Sequence, residues 1–182
     1  MAGRRPLETR EALLIAFFAL FLVAARAAFR WHLHIPGHSM VGTVFGLVLV
    51  RRCVSRPLAA SLCGLLAGLV CAALGMGQGG PVIVLKLLLP AAVVDLARLR
   101  AADSPAALPI SFGIAIGALA GVAGVLPLIG VEMLADLEPR LVALHALVSG
   151  GGKALFGALG GAGGAWVARE LHHHGLLDHA PH

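Results

Sequence analysis

The chain has 182 residues, 59% of them hydrophobic and 13% charged, with a mean hydropathy of +0.92. A water-soluble domain of this length has too little interior to hide so much apolar side chain, whereas a helical bundle in lipid has no need to hide it. The formal net charge of +5 does not point to nucleic acid, because the arginines fall in short clusters between apolar runs, the pattern of cytoplasmic loops.

Residues 1–10 carry Arg4, Arg5 and Arg10 and read as a short cytoplasmic tail. A first span is expected from about Glu11 to Arg30, long enough for a hydrocarbon core of roughly 30 Å at 1.5 Å per residue. It shows no small-residue cleavage site and reads as a retained helix rather than a signal peptide. Arg26 and Arg30 are expected to snorkel to the far interface. Trp31-His32-Leu33-His34-Ile35-Pro36-Gly37-His38-Ser39-Met40 follows, a run that concentrates three histidines between two apolar stretches. Pro36 and Gly37 oppose a helix here, so an ordered outer loop is expected, with His32 and His34 on one side and a turn returning His38 towards them. Two readings of this loop stand side by side. It is a site for a cation, an anion or a polar ring, or its imidazoles and Trp31 simply sit among lipid headgroups.

Helix two, from about Ser39 to Val50, is short for a span unless neighbours bury it, and it ends in the cluster Arg51, Arg52 and Arg56. Helix three runs from about Pro57 to Leu74, with Gly64-x-x-x-Gly68 as a packing face. Gly75-Met76-Gly77-Gln78-Gly79-Gly80-Pro81 forms an outer turn and is no phosphate loop, since no Gly-Lys-Ser/Thr follows. Helix four, from about Pro81 to Ala97, carries Lys86, Pro90 and an interfacial Asp95. Ala101 to Pro105 is an inner turn. Helix five, from about Ala106 to Leu128, has Gly113, Gly117, Gly121 and Gly124 at helical spacing, a close-packed seam. The acidic stretch 130–140 is a second outer loop with room for a short interfacial helix. Helix six runs from about Leu141 to Arg169. The fold class is thus an all-α integral membrane bundle of about six spans with both termini cytoplasmic, residues 1–171, followed by a histidine-rich cytoplasmic tail, 172–182.

An ionisable side chain within a span calls for a partner or a watery cavity. Lys86 and Lys153 both lie towards the outer side, and His145, Ser149 and Lys153 follow one another at four-residue steps as a slanting polar track. With His32, His34, His38 and Gln78 they form the candidate binding site: a basic floor and an imidazole-rich lid, suited to a small polar or anionic molecule. The alternatives are snorkelling for Lys86, an interhelical pair for Lys153 and a plain interhelical hydrogen bond for His145. No catalytic constellation is present. Neither Gly37-His38-Ser39 nor Ser149-Gly150-Gly151 completes a Gly-x-Ser-x-Gly elbow, and Leu147 and Ala154 break a Walker A pattern around Lys153. Cys53, Cys63 and Cys71 are widely spaced and read as free thiols. No enzyme and no intrinsic cofactor are expected.

The overall plan, with Lys86-Leu-Leu-Leu-Pro90-Ala-Ala-Val-Val-Asp95-Leu after a glycine-rich turn, resembles the S component of an energy-coupling-factor (ECF) transporter. The run is similar to the Pro-Gly-x-x-x-Asp/Glu-Leu run of that family, with Ala91 in the glycine position. The resemblance implies a substrate-capture subunit of an importer for a vitamin-like molecule or a transition metal, in the inner (cytoplasmic) membrane. It also implies a transmembrane coupling subunit and ABC ATPases as partners. The family's Ala-x-x-x-Ala contact to the coupling subunit has its clearest counterpart in Ala24-x-x-x-Ala28. Metal-specific relatives use an extreme N-terminal histidine, which this chain lacks, so a metal cargo would fall to His32, His34 and His38. The readings from other classes are a membrane metal- or haem-binding redox subunit using that loop, and a structural subunit of a larger complex.

Overall fold

A computed structural model describes residues 8–29, 37–54, 56–76, 80–100, 109–135 and 137–174. Among these the chain is all-helical: α1 (Thr9–Phe29), α2 (Ser39–Cys53), α3 (Ala59–Ala73), α4 (Val82–Arg100), α5 (Ile110–Ala123), α6 (Leu126–Leu134) and α7 (Pro139–His173). Three segments are long and apolar enough to cross a membrane: Thr9–Ala28, Ile110–Leu134, and Pro139–His173.

The distribution of side-chain sizes fits lipid on the outside. Leu13, Phe17, Leu20, Leu69, Leu119, Leu147 and Leu155 are exposed, while Gly and Ala fill many of the contacts between helices. Water penalises such a surface, but acyl chains do not, and helix association in lipid relies on small residues that let backbones approach.

Helix α2 is central. It touches α1, α3, α4, α5 and α7, and Gly42, Thr43, Val44 and every residue from Gly46 to Arg51 are buried. This resolves its shortness: an enclosed helix is not matched to the bilayer alone. The closest pairing is α5 with α7, through glycines on both. A Cβ added to Gly113 or Gly117 would overlap the backbone of Gly161 or Gly157. The glycine stripe of helix five therefore meets a glycine stripe on α7. Gly160 and Gly164 of α7 admit α2 at Val41 and Val48, and Gly64 and Gly68 of α3 admit α4 at Leu87 and Val84.

The expected fifth span is broken. Gly124 and Val125 form a turn, and a separate α6 begins at Leu126, with Pro127 near its start, where its missing N–H costs nothing. At the other end of the chain, α7 continues through His172 and His173, so the first two imidazoles of the expected tail are helical.

Candidate functional site

The site is assembled where the chain enters α2. Gly37 has φ +95°, a conformation L side chains rarely adopt, and a Cβ there would lie 2.7 Å from Gly152 C and Lys153 N. The end of the histidine loop is thereby seated on the α7 backbone, with His38 the next residue. The Met40 side chain covers Gly124, and Pro90 borders the same spot. Lys153 Nζ donates to the Gly124 carbonyl oxygen at 3.3 Å, satisfying a carbonyl that the end of α5 leaves without a helical partner. Four helices thus close around one lysine.

Two further cations join it. Lys153 lies within electrostatic reach of Lys86 on α4, Arg26 on α1 and the acid Glu132 on α6, and Arg26 acts on both Lys86 and Cys71. The buried stripe Ile15, Ala19, Leu22 continues with helical spacing to Arg26, which carries that residue inwards rather than along lipid. Lys86 flanks the buried Ile83 and Leu87 on α4. Lys153 lies one turn from the buried Ser149 and one turn from Gly157 on the packed face of α7. Among the described residues no ion-pair partner meets Arg26 or Lys86. The sequence reading put Lys86 and Lys153 in the candidate site and sent Arg26 to the far interface, although the three-and-four spacing from Ala19 and Leu22 was readable.

The polar track on α7 divides. His145 is turned outwards and pairs through Nδ1 with Glu132 Oε1 at 2.5 Å, Ser149 is buried, and only Lys153 reaches the cation group. His32, His34 and Gln78 lie outside the described residues. Among the described residues no three His, Cys, Asp or Glu side chains gather as metal ligands, so of the expected metal set only His38 is placed.

The other end of the bundle holds a second polar group. Asp95, expected at an interface, is 2% exposed. It meets Arg51 Nε at 3.1 Å and accepts hydrogen bonds from Ser61 N and Ser61 Oγ, both at 2.7 Å, and from Ala60 N at 3.3 Å. It thus caps α3 from a neighbouring helix, in place of an N-cap side chain that Leu58 does not offer. Arg51 also donates to the Val54 carbonyl at 3.1 Å, and Arg56 pairs with Glu11 at 2.7 Å. Two arginines of the expected cytoplasmic cluster are therefore tied to other helices. This is structural chemistry: Asp95, Arg51 and Arg56 each tie one helix to another or to a turn.

No family model, no curated protein and no solved structure matches the chain.

Proposed function

We propose that this protein is the substrate-capture subunit of a membrane importer, similar in plan to an ECF-type S component. Its six spans would place both termini in the cytoplasm, in the cytoplasmic membrane, with ATP hydrolysis supplied by partner subunits. The observation that carries the reading is the gathering of Arg26, Lys86 and Lys153 from three helices, with Glu132, among the described residues, the acid acting on Lys153. Like charges in an apolar bundle repel and are costly to desolvate, and ionisable groups at such depth mark substrate pathways. A bound anion relieves both costs. The cargo class is therefore a small molecule with a carboxylate or phosphate, held near Gly37, which packs on the α7 backbone. The exposed face of α1, with Leu13, Phe17, Leu20, Ala24 and Ala28, is the surface offered to a coupling subunit.

The test is native mass spectrometry of gently purified protein, with uptake measured in cells carrying the partner subunits. A retained small acid is expected in the wild type, lost in Lys86→Ala and Lys153→Ala. No retained molecule, with uptake unchanged in both variants, would sink the reading in favour of a structural subunit. A stoichiometric redox metal or a visible absorption band would replace it with the metal- or haem-binding alternative.

A further inference from the structure

Between α6 and the first turns of α7 the surface opens into a depression of about 430 Å³. Leu137, Leu141, Leu144 and Val148 supply aliphatic walls, and Glu132 and His145 are its polar residues. Glu132 is a residue of α6, and its side chain is only 14% exposed.

The carboxylate is half used. Oε1 meets His145 Nδ1 at 2.5 Å, whereas Oε2 is buried and has no hydrogen-bond partner among the described residues. A buried carboxylate oxygen without a donor is costly, and native structures rarely leave one unexplained. Lys153 does not fill it: its Nζ donates to the Gly124 carbonyl and makes no hydrogen bond to Glu132 Oε2. A carboxylate only accepts, so Nδ1 of His145 must be the donor in that bond. In the neutral ring this leaves Nε2 as a bare acceptor. The His145 side chain is 53% exposed, so a molecule in the depression can approach it. The depression thus offers one open acceptor, His145 Nε2, beside a carboxylate whose second oxygen lies beneath its surface, together with aliphatic walls.

We propose that this depression binds an amphiphile with a primary ammonium head: the head donates to His145 Nε2 and is held by the negative charge of the Glu132 carboxylate beneath it, and the apolar body lies along Leu137, Leu141, Leu144 and Val148. Charge-assisted hydrogen bonds favour an ammonium over a neutral donor. A quaternary ammonium has the charge without the donors and is excluded. The same chemistry is carried by a lipid with an ethanolamine headgroup and by a free alkylamine. Through Glu132, which also acts on Lys153, the depression borders the Arg26, Lys86 and Lys153 group.

The experiment uses the full chain in nanodiscs. Discs holding equal phosphatidylethanolamine and phosphatidylcholine are analysed by native mass spectrometry, and discs of phosphatidylcholine alone are titrated with octylamine or octyltrimethylammonium. Retention of the ethanolamine lipid over the choline lipid by roughly tenfold or more is expected, the worth of a hydrogen bond to a charged group. Glu132→Gln should bring the ratio close to one. Preference in the lipid arm identifies a lipid occupant. Preference for octylamine over octyltrimethylammonium in the second arm alone identifies a free amine. Wild-type protein that favours neither donor-bearing probe over its methylated counterpart overturns the site, as does a preference that Glu132→Gln leaves intact. The comparison of probes on the wild type needs no variant to fold.

Discussion

Asp95 shows how much one side chain decides when it is taken out of water. It neutralises Arg51 and supplies the cap that α3 lacks, so its removal leaves a buried guanidinium and orphaned amides together. Asp95→Ala should destabilise the protein by about 3–5 kcal/mol, the usual cost of breaking a buried pair, measured by thermal unfolding in detergent. The double variant Arg51→Met with Asp95→Leu should recover part of that loss, since no charge is then left alone. It should not recover all of it, because Ser61 N and Ala60 N still lack an acceptor. Gly37 is a second case. Gly37→Ala must hold a φ near +95° and push against Gly152 and Lys153, a strain of about 1–3 kcal/mol. It should weaken ligand retention while α7 stays folded, which circular dichroism and native mass spectrometry together would show; unchanged retention would detach the loop from the site.

At the scale of helices, the contrast between packed and open glycines gives a clean test. Gly117 lies against the backbone of Gly157, whereas Gly151, on the same α7, has open space where a Cβ would go. Gly117→Ala should therefore separate α5 from α7 and cost about 1–3 kcal/mol, as overpacking does. Gly151→Ala should instead stabilise by about 0.5–1 kcal/mol, because alanine is the better helix former. Equal effects on melting temperature would mean that α5 and α7 do not share this seam. Pro90 acts at the same scale: it is buried inside α4 and has no N–H to give to the carbonyl of Lys86. The lysine beside the cation group thus also carries a backbone acceptor freed from the helix.

For the molecule as a whole, the six-span proposal assigns each end of the bundle to a side of the membrane. The α2–α3 connection falls inside, and the α3–α4 connection falls outside. With Cys53, Cys63 and Cys71 replaced, Pro81→Cys should react with a membrane-impermeant maleimide in intact spheroplasts, and Leu58→Cys only after lysis. Labelling of both from one side would overturn the topology and with it the outward-facing site. The polar chemistry follows the same division, with the Arg51–Asp95 pair at one end and Arg26, Lys86 and Lys153 at the other.

Much of the architecture was readable residue by residue, because hydropathy and glycine spacing are local quantities. The apolar runs gave the helices, the Gly113, Gly117, Gly121 spacing gave a seam, and Lys86 and Lys153 stood out as costly charges in apolar runs. The partners of those charges were not readable. Whether Asp95 meets water or Arg51, whether Arg26 turns to lipid or towards Lys153, and whether His145 joins Lys153 or Glu132 depend on which helices become neighbours and how each is rotated. A helix rotates its faces by about 100° per residue, so a small change in register exchanges a lipid-facing side chain for an interior one. The sequence alone therefore determined that this chain is a membrane protein built as a bundle of helices, and tertiary packing alone decided which of its few charges meet a partner inside the bundle.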